Sequence, residues 1–181
     1  MSLFHALADP IRRFALPACA AALAGCASMA PGGLPAGVAR LAATQGNSAS
    51  GEVRFTQQGA RLAVVARVSG LKPNQAHGFH VHEKGDCSSP DATSAGGHFN
   101  PGGAPHGGPG VPHHAGDMPS LAADAQGNAQ ASFSIDGSLA GDAATAFAGK
   151  AVIVHAMPDD YATQPTGNSG ARIACGVIRM P

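Results

Sequence analysis

From residue 38 onward the chain alternates apolar and polar positions in short runs, punctuated by glycine, proline and asparagine. Val38–Thr44 is a weak first run, and Gly46-Asn47-Ser48 marks a turn. Glu52–Thr56 puts Val53 and Phe55 on one face, before a turn at Gln58-Gly59. Arg61–Val68 is clearer: Leu62, Val64, Ala66 and Val68 share a face, and Arg61 and Arg67 lie opposite. Lys72-Pro73-Asn74 breaks the pattern, and His77–His82 forms the next strand. Leu121–Asp124 leads through Gln126-Gly127-Asn128 into Ala129, Ala131, Phe133 and Ile135, alternating with Gln130, Ser132 and Ser134. Ala151–His155 and Arg172–Ile178 complete the set. A period of two throughout, without a long amphipathic helix, predicts an all-β fold. The expectation is an eight-stranded Greek-key sandwich or flattened barrel.

Two long stretches have no period. Cys87–Pro119 is dominated by glycine, proline and histidine, and Met157–Ala171 is a second Gly/Pro loop. Asp136–Gly149 is mostly loop, with room for a helical turn. A structureless segment of about 30 residues inside a domain is usually functional. Something other than an apolar core must order it, and a metal and a disulfide are the available means.

The N-terminus changes the picture. Arg12-Arg13 precede the apolar run Phe14–Gly25, which is too short to span a bilayer and reads as an export signal. It ends in Leu23-Ala24-Gly25-Cys26, similar to the bacterial lipoprotein box, in which the cysteine is lipidated. The alternative is a plain secretory signal cut near Ala27 or Ala30, with Cys26 lost. The expected organisation is a leader over 1–25, a flexible Pro/Gly-rich tether over 26–36 and one domain over 37–181. The expected location is the periplasm or cell envelope, anchored to a membrane by lipid at Cys26. Cleavage before Cys26 takes basic residues from 11 to 9 and acidic ones from 11 to 10, leaving a nearly neutral chain. That balance argues against nucleic acid as a partner. With Cys19 removed and Cys26 lipidated, Cys87 and Cys175 remain, and an oxidising compartment favours a disulfide between them.

The candidate chemistry lies in the histidines. His80 and His82 stand at i and i+2, so a strand points both imidazoles to one side. His155 ends another strand, and His98, His106, His113 and His114 crowd the unpatterned loop with Asp117. Imidazoles suit copper and zinc, and an added carboxylate suits zinc. The count would serve two ions. His77 reads as a structural histidine bonded to nearby backbone.

Several segments together resemble the bacterial Cu/Zn superoxide dismutases. They are Gly78-Phe79-His80-Val81-His82, Gly96-Gly97-His98-Phe99-Asn100-Pro101, His113-His114-Ala115-Gly116-Asp117, Val154-His155 with Asp159-Asp160-Tyr161, and Gly167–Ile178. They follow the family order over roughly residues 38–180. The resemblance implies copper at His80, His82, His98 and His155, and zinc at His98, His106, His114 and Asp117, with His98 deprotonated and bridging. It implies that superoxide becomes dioxygen and hydrogen peroxide as copper cycles between Cu(II) and Cu(I). His98 would carry a proton, and Arg172 would attract and orient the anion. Asp159 would bond the outer nitrogens of His80 and His106, with Asp160 as the alternative, and Thr166 would line the channel. His114 fits the zinc set better than His113 by its spacing to Asp117. The loop Tyr161–Gly167 departs from many relatives in carrying no lysine, so steering would rest on Arg172, with Lys84 or Lys150 as helpers. The competing reading is a copper-binding or copper-buffering envelope lipoprotein on the same fold, without useful turnover. Monomer and homodimer both stay open.

Overall fold

A computed structural model describes residues 36–181, together with Met1. The expected leader, Cys26 and nearly all of the expected tether lie outside the described residues. Among those that are described, no helix is long and apolar enough to cross a membrane.

The alternating runs become strands with the predicted faces. β1 (Ala36–Ala43), β2 (Ser50–Gln58) and β3 (Arg61–Ser69) form an antiparallel meander. Val53, Phe55, Leu62 and Val64 are fully buried, and Arg54, Arg61 and Arg67 are exposed on the other side. β4 (Ala76–His77), β5 (Phe79–His82), β6 (Leu121–Ala122), β7 (Ala129–Asp136), β8 (Ala151–His155) and β9 (Arg172–Arg179) follow. Seven strands make one sheet in the order β5-β8-β9-β1-β2-β3-β7, and β4 pairs with β6 in a small ribbon. The sheet curls on itself: Phe79 of one edge strand meets Phe133 of the other, ring centroids 6.4 Å apart. One apolar cluster, containing Phe55, Val64, Phe79, Val81, Val152 and Ile178, fills the curl.

The predicted eighth strand count becomes nine because the run around Gly78 divides. Its halves have different partners, β4 with β6 and β5 with β8. Gly78 itself donates its N–H to Met157 O at 2.8 Å. A three-residue 3-10 turn at Thr93–Ala95 lies inside the stretch read as unpatterned. Residues 137–149 hold turns, without a helix.

The free edge of β5 explains how the long loop is ordered. One edge of β5 pairs with β8, and the loop supplies partners to the other. Val81 N–H donates to Gly116 O at 2.8 Å, Phe99 N–H to Val81 O at 2.8 Å, and Glu83 N–H to Gly97 O at 2.9 Å. Bridges His80↔Asp117 and His82↔His98 follow from this pairing. An unpaired buried backbone would be costly, so the edge and the loop satisfy each other. The expected disulfide is present: Cys87 and Cys175, 88 residues apart, have Cα atoms 5.8 Å apart.

Candidate metal centre

β5 carries two opposed functions in four residues. Phe79 and Val81 enter the core, and alternation turns His80 and His82 to the other face, beneath the loop. His155 comes from the end of β8, beside β5 in the sheet. The edge pairing described above brings His98 and Asp117 over the same face.

Two clusters result. The ligand-capable atoms of His80, His82, His98 and His155 lie within 4.8 Å of one another, and so do those of His98, His106, His114 and Asp117. All seven residues are buried. His98 alone belongs to both sets. His113 is half-buried and outside them; its Nδ1–H donates to the His114 carbonyl at 2.7 Å.

Hydrogen bonds fix which nitrogen of each ring faces inward. His80 Nε2–H donates to Asp159 Oδ2 at 2.6 Å, and His106 Nε2–H to Asp159 Oδ1 at 2.9 Å. His82 Nδ1–H donates to Gly96 O at 2.9 Å, and His155 Nδ1–H to Gly170 O at 3.1 Å. A carbonyl or carboxylate can only accept, so each of these rings keeps a bare lone pair on its other nitrogen. Those nitrogens are His80 Nδ1, His82 Nε2, His106 Nδ1 and His155 Nε2, all buried without a hydrogen-bond partner, as is His98 Nε2. His106 Nδ1 does lie 3.0 Å from Asp117 Oδ2, but outside bonding alignment. The nitrogens of His80, His82, His98 and His155 belong to one cluster and His106 Nδ1 to the other, and buried, unsatisfied acceptors gathered in this way are unfavourable alone and are relieved by a cation.

Burial sets the charge state. It pushes His80 down to about 4, with the Asp159 hydrogen bond opposing, and pushes His155 down to about 3, with His80 adding to the effect. Burial also holds His82 well below its ordinary value and lowers His114. Burial pulls the Asp117 carboxyl upward, but the His98 hydrogen bond and the Gly107 N–H outweigh it and set the group at about 2. His80, His82, His114 and His155 are thus held neutral and Asp117 ionised at neutral pH, as metal ligation requires.

Arg172 is half-buried beside this face. Its two terminal nitrogens donate to Ala92 O at 2.6 Å and Gly96 O at 2.7 Å, and its own carbonyl accepts from Thr44 Oγ1 at 2.8 Å. The Gly96 carbonyl therefore receives both the guanidinium and His82. Of the two candidate carboxylates after β8, Asp159 sits between His80 and His106, whereas Asp160 caps the turn at Ala162 and Thr163. Thr166 is exposed on the same loop. Lys150 lies over the Phe99 ring, 5.0 Å from its centroid. His77 is structural, as expected: its Nδ1–H donates to the His155 carbonyl at 2.8 Å.

Two contributors escaped the sequence reading. Gln164 reaches across to the backbone of His106, accepting its N–H at 2.8 Å and donating to its carbonyl at 2.9 Å. Gly167, at φ 64°, packs directly against the Asp159 carboxylate and the His106 ring, so a side chain there would displace both. Nothing in the sequence marks Gln164, whose partner is 58 residues away.

Comparison with known proteins bears on this arrangement. The family model for copper/zinc superoxide dismutase (SODC) matches residues 49–178. A Cu-Zn superoxide dismutase of Paramecium bursaria Chlorella virus 1 is 42% identical over 135 residues, covering 71% of each chain. Cu-Zn superoxide dismutase 2 of Aquifex aeolicus (strain VF5) is 40% identical over 135 residues, 71% of this chain and 78% of its own. Among solved structures, a SOD-like protein from Bacillus subtilis aligns with TM-score 0.69 at 37% identity, over 78% of this chain and 97% of its own. The clock protein EA4 aligns with TM-score 0.72 at 36% identity, over 82% and 96%.

Proposed function

Because the chain belongs to the copper/zinc superoxide dismutase family, we propose that His80, His82, His98 and His155 hold copper and that His98, His106, His114 and Asp117 hold zinc, for the dismutation of superoxide. The observation that carries this reading is the pair of clusters sharing His98, with the five orphaned ring nitrogens. Four imidazoles suit copper, and three imidazoles with a carboxylate make a closed zinc set. Copper, when bound, supplies one-electron redox chemistry between Cu(II) and Cu(I), and zinc supplies fixed positive charge.

The residues of the chain do the rest. Two superoxide anions and two protons become dioxygen and hydrogen peroxide. His98 presents Nε2 to one cluster and Nδ1 to the other, and Nε2 is the atom that holds a proton between the two half-reactions. Arg172, clamped by two carbonyls, holds a fixed positive charge for a small anion. Thr166 narrows the approach on the opposite loop. Asp159 ties His80 to His106 and thereby couples the two sets.

We further propose that the protein resides in the cell envelope. Cys26 is lipidated after cleavage of residues 1–25, and the domain is held at a membrane outside the cytoplasm. The Cys87–Cys175 bond fits an oxidising compartment.

The test is a cyanide-sensitive dismutase assay on metal-loaded protein, with metal analysis, beside His155→Ala. We expect copper and zinc at one each per chain, and loss of activity with copper occupancy in the variant. Full copper occupancy without turnover would instead make the protein a copper-holding envelope protein.

A further inference from the structure

The arginines are distributed unevenly. Beyond residue 36 they are Arg40, Arg54, Arg61, Arg67, Arg172 and Arg179, and all except Arg172 point outward from β1, β2, β3 and β9. The strand register fixes their spacing. Arg40 pairs with Glu52, and Glu52 with Arg67. In the adjacent row Arg179 pairs with Val38, and Val38 with Arg54. Neighbouring strands lie about 4.8 Å apart, and rows on one face about 6.8 Å apart. Four guanidinium groups thus share a patch two rows deep with one carboxylate. Arg40 and Arg54 both turn to that carboxylate, at 3.8 and 3.4 Å, and their side chains remain 88% and 52% exposed. Below them an open groove of about 640 Å³ is lined by Arg40, Arg54 and Arg179 with Val38, Val177 and Met180.

We propose that this face is a docking surface for an anionic phospholipid bilayer. Three observations favour that occupant. The patch is exposed and strongly cationic within a nearly neutral chain. It is built from arginine without lysine, and a planar guanidinium pairs with phosphate through two parallel hydrogen bonds. Its apolar floor suits the glycerol and upper acyl region beneath a phosphate.

The location gives the docking a consequence. Val53 and Phe55 face the core from β2, and Phe79 and Val81 face it from β5. The outward face of β2 and the histidine face of β5 therefore look away from each other. A bilayer under the arginines leaves the metal centre turned toward the aqueous side, open to its substrate. Where Cys26 carries a lipid, the ten residues to Ala36 reach at most about 35 Å, and Ala36 begins β1 at the edge of this face. This last point rests on the lipoprotein reading, and the charge pattern does not. Tethering raises the effective concentration of the face at the membrane, so a modest attraction suffices to orient the domain.

The experiment uses the full 181-residue metal-loaded chain carrying Cys26→Ala, which removes lipid attachment. It is sedimented with vesicles of phosphatidylcholine alone or with about a third phosphatidylglycerol, in about 50 mM and about 500 mM salt. A second chain adds Arg40→Gln, Arg54→Gln, Arg67→Gln and Arg179→Gln, and a third adds Glu52→Gln. The apolar run and Arg12-Arg13 are common to all three, so differences between them read the face. The phosphatidylglycerol-dependent gain in binding should fall at least about tenfold in the quadruple variant and vanish in high salt. Glu52→Gln should raise it severalfold, a gain that misfolding would not produce. Equal gains in all three chains would overturn the proposal. So would a salt-sensitive dimer, lost in the quadruple variant, without any vesicle-dependent gain, since that assigns the face to a second copy. Lipidation is scored separately, by palmitate incorporation at Cys26 of the unaltered chain, so failure of the anchor and failure of the face are told apart.

Discussion

At the residue scale the centre depends on single backbone atoms. The Gly96 carbonyl accepts from His82, a proposed copper ligand, and from Arg172, the proposed guide for the anion. Gly96 adopts φ 74°, and a Cβ there would strike the Glu83 carboxylate. Gly96→Ala should therefore cost about 1–3 kcal/mol from backbone strain and misplace both side chains together. We expect kcat/KM to fall roughly tenfold, equivalent to about 1.4 kcal/mol, with zinc content unchanged; a parent-like rate would show that the shared carbonyl does not position Arg172. Protonation gives a second expectation, for metal-free protein. His80 at about 4, His155 at about 3 and the lowered His82 and His114 all bind protons less readily folded than unfolded, where histidine titrates near 6.5. The unfolded chain then holds more protons below 6.5, so stability rises with pH across that window and is lost as pH falls. Asp117, lowered from 3.8 to about 2, stabilises the fold above 3.8, and this is lost between those values. The melting temperature should be level above pH 7, decline from about pH 6.5 downward and drop again below about pH 4. A flat profile from pH 7 to 4 would contradict the buried neutral histidines.

At the element scale the question is what joins the two long loops. Gln164 clamps the loop after β8 to the backbone of His106 with two hydrogen bonds. Removing both, at about 1 kcal/mol each, should let the zinc side open more often. Gln164→Ala is expected to speed zinc release to a chelating dye by about tenfold while copper content stays constant; equal release rates would show that Asp159 alone holds the loops. The disulfide acts on the other side. Cys87 ties the loop that supplies the Ala92 carbonyl to β9, which carries Arg172. Cys87→Ser should cost about 2–4 kcal/mol and lower activity; unchanged melting and rate would uncouple the staple from the site. These elements were unequally legible. The strands were readable because each has one buried face, so Leu62, Val64 and Phe55 write a period of two. The histidines were readable because His80 and His82 interrupt that pattern with ligands on the outward face. The division at Gly78 was not, since a strand run looks the same whether its halves share a partner or not. Nor was the docking of Gly97–Phe99 and Gly116 onto the edge of β5, because backbone hydrogen bonds leave no side-chain pattern. Gln164 was invisible for a related reason: a single exposed glutamine carries no periodicity, and folding alone brings it to His106.

At the scale of the whole molecule, charge placement decides how substrate arrives. Superoxide is an anion, and steering needs positive potential near the metal mouth. Here most of the arginine charge lies on the outward face of β1, β2, β3 and β9, across the core from the centre. The loop Tyr161–Gly167 has no lysine or arginine, and Asp160 just before it is exposed. Lys150 is engaged over Phe99. The Debye length is about 8 Å at physiological ionic strength, so the distant arginines are screened from the approach path. Arg172, with the exposed Lys84 two residues beyond His82, is left as the local attraction, and so few charges act chiefly at short range. We therefore expect kcat/KM to change by less than about threefold between about 100 and 300 mM salt, where the Debye length stays at or below about 10 Å. Adding charge where it is missing gives the sharper comparison. Ala162 is exposed, and only its backbone is engaged, its N–H with Asp160 and its carbonyl with Gln164. Ala162→Lys should raise kcat/KM at low salt by about two- to threefold and steepen the salt dependence. Arg67→Gln, on the far face, should leave both unchanged. A steep decline with salt in the unaltered protein, or a response to Arg67→Gln, would mean that the far face reaches the substrate and that this account of steering is wrong.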